Sequence, residues 1–239
     1  MTEYDDILVG RGLTKAFGEG PARVEALRGV DVRVRRGEFL AVMGPSGCGK
    51  STLLHVLGLM ASPDRGEVVL NGQVVSRGRE QGSDAAPVGE FVSEARRTEI
   101  RRRGIGFVFQ RFNLLSVLSG IDNMVLAARL AGRREQERQI GPILESLGMA
   151  QAARRKPGQM SIGQQQRLAV ARALVTRPEL LLADEPTGSL DSVNRAALLE
   201  ILRQANRRDG QTIVLITHQP EVAEVADRVV QMSDGRIIE

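Results

Sequence analysis

The sequence has no tryptophan, and aromatic residues make up only 3% of it, so aliphatic side chains must build the core. Its single cysteine, Cys48, excludes an intramolecular disulfide and a Cys₄ zinc site, and it suits a reducing compartment. No run of about 18 apolar residues occurs, so no segment reads as membrane-spanning. The opening stretch MTEYDDILVG is acidic, with no apolar run followed by a cleavage site, so no signal peptide is expected. Lysine is scarce as well. Of 33 basic residues only Lys15, Lys50 and Lys156 are lysines, and the rest are arginine. A sequence pI of 9.9 therefore accompanies a formal charge of only +4. The basic residues are spread along the chain, and the local runs at 101–103 and 154–156 read as solvated helix faces or helix ends. No nucleic-acid partner is expected.

What is present is an ordinary globular composition, 42% hydrophobic and 26% charged over 239 residues. That length suits one large domain, or a domain with a subdomain. Val30, Val32 and Val34 alternate with charged residues, the period of a half-buried strand. FLAVM (39–43) is a continuous apolar run and reads as a buried parallel strand. A glycine-rich turn and a helix over STLLHVLGLM follow. VVLNGQVV (68–75) predicts a hairpin turning at Asn71-Gly72, and 77–92 reads as a polar loop. From about 93 to 177 the pattern is mostly helical, with helices near 94–103, 119–131, 134–147 and 162–175, interrupted by the strand IGFVF (105–109). Strands return at 179–184 and 212–217, with a helix at 192–208 between them. RVVQMSDGRIIE predicts a closing hairpin with Asp234-Gly235 at its tip. The fold class is α/β: a mainly parallel sheet, an antiparallel β-subdomain and an inserted helical subdomain.

Chemistry concentrates in a few short stretches. GPSGCGKS (44–51) matches G-x-x-x-x-G-K-[ST] after a strand and before a helix, where a phosphate-binding loop must sit. Its glycines let backbone N–H groups curl round a phosphate chain, and the helix N-terminus adds positive partial charge. Lys50 can reach the outer phosphates, Ser51 can ligate Mg²⁺, and Thr52 adds a hydroxyl; Cys48 reads as a small residue in a variable position. LLLADE (180–185) ends a buried strand with Asp184, placed to hold Mg²⁺, and Glu185, placed to orient or deprotonate water. Gln110 and His218 also follow strands, at the edge where parallel sheets bind ligands. MSIGQQQR (160–167) opens a helix with a capping box, Ser161 and Gln164, and this helix is expected to run to Arg177-Pro178. Ile162 is β-branched, so it must take an ordinary φ, most simply in the first helical turn. There isoleucine in place of glycine gains about 0.5 kcal/mol of helix propensity.

GPSGCGKST, Gln110, MSIGQQQR, LLLADEP, SLD and His218, in this order and spacing, resemble the nucleotide-binding subunit of an ABC transporter over essentially the whole chain. The resemblance implies ATP and Mg²⁺ as ligands. Gly44, Pro45, Ser46, Gly47, Cys48, Gly49, Lys50, Ser51 and Thr52 would bind the phosphates and Mg²⁺, with Phe17 stacked on adenine. Gln110 would sense metal and γ-phosphate, Asp184 hold the metal, Glu185 act as base, and His218 contact the γ-phosphate. Ser161, Gly163 and Gln164 would grip ATP held by a second subunit in a head-to-tail dimer, homomeric or heteromeric, and Asp191 would help join the halves. The usual signature, Leu-Ser-Gly-Gly-Gln, is altered here at Met160 and Ile162, while Ser161 and Gly163 are kept. IGFVFQRFNLL and LLADEPTGSLDS are similar to subunits of macrolide-efflux, lipoprotein-release and cell-division-type systems. These pair a cytoplasmic ATPase dimer with a separate membrane permease subunit, so a peripheral location on the inner membrane face is expected. Phe112, Leu114 and Leu115 are expected to help form the groove for that partner. Two rivals remain: a non-transport ABC ATPase acting on nucleic acid, and a regulatory module that binds ATP without turnover. The absence of sustained heptads speaks against the first, and Glu185 with His218 against the second.

Overall fold

The computed structural model describes residues 6–78 and 92–238, so nearly all of the 77–92 connection lies outside the described residues. The chain divides into two compact units, Met1–Arg101 with Ile216–Glu239, and Arg102–Leu215.

The first unit begins with β1 (Asp6–Phe17) and β2 (Val24–Arg35), a long antiparallel pair. Along β2, Val30, Val32 and Val34 are buried while Asp31, Arg33 and Arg35 face out, as the alternation predicts. β4 (Arg65–Leu70) joins the other edge of β1, and β5 (Gln73–Arg77) completes the order β2-β1-β4-β5. The β4–β5 turn puts Asn71 at φ 50 and Gly72 at φ 75, the doubly left-handed turn that suits the twist of a hairpin. β3 (Phe39–Met43) pairs in parallel with β9 (Arg228–Ser233). β9 turns back onto β10 (Arg236–Ile237) through Asp234 and Gly235, again both at positive φ. α1 (Lys50–Leu57) follows β3 and buries Leu53, Leu54, Val56 and Leu57.

α2 (Glu94–Gly104) leads into the second unit, where β6 (Ile105–Val108) runs parallel to β7 (Leu180–Asp184). Between these strands, α3 (Gly120–Leu130), α4 (Ile140–Ser146) and α5 (Ile162–Leu174) close over a core that includes Met124, Leu144, Met149, Met160 and Leu168. α6 (Ser192–Asp209) ends at Gly210 with φ 66, and the fully buried β8 (Thr212–Thr217) returns the chain to the first unit.

Three local features differ from the sequence reading. The helix expected at 134–147 is 3₁₀ over Arg134–Gln139 and α-helical only from Ile140. Pro142 has no N–H for the carbonyl of Arg138, so the α-helix starts late enough to leave Pro142 in its first turn, where N–H groups are unused. α5 stops at Leu174, short of Pro178: the Thr176 hydroxyl donates to the Ala173 carbonyl at 2.8 Å, and Arg177 turns to φ 46. A short helix, α7 (Pro220–Ala223), opens on Pro220 and was not expected, being too brief to show a period.

Candidate functional site

The glycine-rich loop between β3 and α1 leaves no room for side chains at two places. A Cβ on Gly44 would lie 2.1 Å from the Met232 carbonyl oxygen, and one on Gly49 would lie 2.2 Å from that of Ala26. Gly49 also sits at φ 104, a conformation open only to glycine, and caps α1 from there. The Gly235 N–H donates to the Cys48 carbonyl at 3.0 Å and pins the loop from the β9–β10 turn. Lys50 is only 5% exposed, and its Nζ donates to the carbonyls of Gly44 at 2.7 Å and Pro45 at 2.8 Å. A lysine ammonium has three donors, so the loop curls round a buried positive charge whose third N–H meets no strong acceptor in the loop. Cys48 is buried, its weakly accepting Sγ 3.9 Å from that Nζ, and fills space as expected. Ser46 and Ser51 are exposed, and Thr52 is half-buried. In the same unit, Phe17 ends β1 and is 51% exposed, with Lys15 Nζ 5.8 Å from its ring centroid. His218 is exposed immediately after β8.

The second unit gathers the other predicted residues. β6 and β7 are in register, Val108 opposite Ala183, so Gln110 and Glu185 both emerge just beyond the carboxyl ends of the strands. Their side chains converge: a Cβ added to Gly188 would stand 3.6 Å from Gln110 Nε2 and 3.7 Å from Glu185 Oε2. Glu185 takes φ 41, an uncommon backbone for a non-glycine residue and one that clusters at functional sites. Asp184, at the last position of β7, is half-buried.

The stretch 160–164 adopts the predicted capping box. The Gln164 N–H donates to Ser161 Oγ at 3.3 Å, and the Ser161 N–H to Gln164 Oε1 at 3.0 Å. Ile162 is the first helical residue and is 52% exposed, so isoleucine fits there without backbone strain. Met160 lies in the helical core, where a flexible apolar side chain serves as leucine would. Gly163 is constrained by a neighbour the sequence did not reveal: its Cβ would fall 2.3 Å from Asn194 Oδ1. Asn194 Nδ2 donates to both carboxylate oxygens of Asp191 at 3.0 Å, and its N–H to Oδ1 at 2.8 Å, capping α6. These bonds, the backbone one foremost, hold the Asp191 carboxyl below the usual carboxylate range.

Two more residues escaped the sequence reading. Arg172 on α5 donates to the carbonyls of Phe112 and Asn113, just after Gln110, and its burial pushes its pKa down. Asn123 is buried on α3; its Oδ1 accepts from the Leu115 N–H at 2.8 Å and its Nδ2 donates to the Leu115 and Ser119 carbonyls. Neither lies in a motif, and a polar residue in a helical pattern gives no sign of which loop it will meet. Of the expected docking residues, Leu115 is exposed, while Phe112 is half-buried and Leu114 packs against the helical core. Among the described residues no helix is long and apolar enough to cross a membrane.

Residues 27–188 match the ABC transporter family. The chain is 42% identical over 239 residues to the lipoprotein-releasing system ATP-binding protein LolD of Bordetella avium, covering 99% of this chain and 98% of that protein. It is 44% identical over 228 residues to the macrolide export ATP-binding/permease protein MacB of Chlorobaculum tepidum; this covers 95% of the chain but only 33% of the longer protein. Among solved structures, a dimeric post-hydrolysis state of the ATP-binding cassette MJ0796, bound to ADP and Pi, superposes with a TM-score of 0.81 at 34% identity over 97% of each chain.

Proposed function

The chain belongs to the ABC transporter family as an ATP-binding, ATP-hydrolysing subunit, and from that premise we propose what each of its residues contributes. The loop Gly44–Thr52 wraps the phosphate chain, its N–H groups and the Lys50 ammonium facing the oxygens. Phe17 offers its exposed ring to adenine. Glu185 accepts a proton from the water that attacks the γ-phosphorus; the bond to the β-phosphate oxygen breaks, and ADP and phosphate result. Gln110 holds that water and the γ-phosphate in line, and His218 hydrogen-bonds the γ-phosphate. Ser51, Gln110 and Asp184 each carry an oxygen donor of the kind Mg²⁺ takes and would hold that ion, which when bound would neutralise phosphate charge.

Ser161, Gly163 and Gln164 grip the nucleotide of a second subunit, and Asp191 stands at the joint between the two halves. A homodimer is the simplest arrangement, with a second kind of ATPase as the alternative. The whole chain forms one ABC-type ATPase domain, with a helical subdomain inserted at about 93–177. The dimer drives a membrane permease from the cytoplasmic face, in efflux or in mechanical work beyond the membrane. The likeness to lipoprotein-releasing and macrolide-export proteins supports this reading. The loop after Gln110 receives the permease, with Leu115 exposed there and Val117 beside it.

One observation carries the proposal: the glycine-tight cradle round the buried Lys50 ammonium. Steady-state phosphate release tests it. The native chain turns over Mg-ATP, while Glu185→Gln binds ATP and loses turnover by about 10²-fold or more. Undiminished release by Glu185→Gln would remove Glu185 from its role, and absence of release by the native chain would favour a binding-only module.

A further inference from the structure

The loop behind Gln110 holds an unusual backbone. Phe112 lies at φ 57 and Asn113 at φ 49, two consecutive non-glycine residues in the left-handed region. For a bulky aromatic this is an outlier, and such a conformation persists only when its surroundings over-determine it. The surroundings are visible. Arg172 Nη2 donates to the Phe112 carbonyl at 2.9 Å, and Nη1 donates to the Asn113 carbonyl. A guanidinium is planar, permanently charged and forked, so it can hold two successive carbonyls at once, with charge-assisted bonds. Downstream, Leu114 packs into the helical core and Asn123 fixes Leu115 and Ser119. The loop is therefore a shaped strap with two fixed ends.

Arg172 lies near the C-terminal end of α5, the helix that Ile162 opens directly after Ser161. One helix thus carries the Ser161 capping box at its N-terminus and the grip on the Gln110 loop near its C-terminus. We infer that Arg172 is a positioning residue: its two carbonyl bonds set the backbone of Phe112 and Asn113, and thereby where the Gln110 side chain stands relative to α5. This rests on the proposed role of Gln110 at the γ-phosphate. The side chain of Arg172 is spent on the loop, so its effect falls on turnover and leaves ATP affinity alone.

The test uses the full chain with Arg172→Lys, which keeps the charge and stem but cannot fork, and with Asn113→Val, whose β-branched side chain disfavours the left-handed backbone while Arg172 is left in place. Amide hydrogen exchange is followed at Phe112, whose N–H donates to the Phe109 carbonyl at 3.1 Å, and at Leu115. In Arg172→Lys, exchange at Phe112 should accelerate about tenfold, a loss of about 1.4 kcal/mol of local hold, while α1 and β3 exchange as before. The kcat should fall about tenfold with KM for ATP changed less than roughly twofold, the split expected when transition-state stabilisation alone is lost. Asn113→Val should show the same pattern. Unchanged exchange at Phe112, or faster exchange with kcat intact, overturns the inference. A uniform rise in exchange across the unit, with kcat per folded molecule unchanged, assigns Arg172 a merely structural role and also overturns it. Gln110→Ala separates the two readings: if that variant turns over normally, Gln110 has no role at the γ-phosphate. The exchange at Phe112 still decides whether Arg172 holds the loop.

Discussion

Replacing Gly163 by alanine sets two effects of similar size against each other. In an open helix, Gly→Ala stabilises by up to about 1 kcal/mol. Here the new Cβ would lie 2.3 Å from Asn194 Oδ1 and 2.6 Å from its Cγ. Asn194 has little freedom to retreat, because its Nδ2 and N–H are committed to the Asp191 carboxylate that caps α6. Overpacking of this kind costs about 1–3 kcal/mol. Moving Asn194 aside would also weaken an α6 cap worth about 1 kcal/mol. The expected net effect is a destabilisation of about 1–2 kcal/mol, or a midpoint lowered by roughly 2–8 °C in a chain of this size. Urea titration and calorimetry of Gly163→Ala in the native chain and in an Asn194→Ala background would measure it. In the second background the clash is gone, so alanine at 163 should be neutral or stabilising, with a coupling of about 1 kcal/mol or more. A stabilising Gly163→Ala in the native chain, or a penalty of equal size in both backgrounds, would refute the reasoning.

Ile162→Gly should cost about 0.5 kcal/mol by denaturation, because a half-exposed first-turn residue loses only helix propensity, and ATPase activity should persist. Phe17→Ala should raise KM for ATP several-fold, roughly the 0.5–1.5 kcal/mol of a ring stack, with kcat little changed; an unaltered KM removes the adenine platform. Acid should weaken the first unit. Glu67 is held below the usual carboxylate range chiefly by its hydrogen bond from Arg77, with Arg11 adding to it against the opposing effect of burial. A depressed folded pKa means a contribution present above the unfolded value, near pH 4, and lost as pH falls through the folded one. The denaturation midpoint of Glu67→Gln should therefore depend less on pH below about 4 than that of the native chain.

Much of this was readable in the sequence because the relevant signals are local. Turns that demand left-handed backbone announce themselves as Asn71-Gly72 and Asp234-Gly235, and both were found there. The P-loop is legible because close backbone approach restricts positions 44 and 49 to glycine. The capping box at Ser161 and Gln164 joins groups three residues apart, and it formed as spaced. Interactions across long sequence separations were hidden. Arg172 reaches back 60 residues to Phe112, and Asn194 meets Gly163 from another helix. Nor could the pattern show that Leu114 would face the helical core while Leu115 turns outward, because a loop has no period to read.

Light scattering of Glu185→Gln, with and without Mg-ATP, tests most directly whether the signature stretch, Ile162 included, grips a second subunit's nucleotide. That variant should bind ATP and not consume it. A shift from a monomer of 26.0 kDa to twice that mass is expected when Mg-ATP is added. A mass that stays at the monomer value under saturating Mg-ATP would contradict it, and a dimer that forms only when glycine replaces Ile162 would assign the failure to that residue.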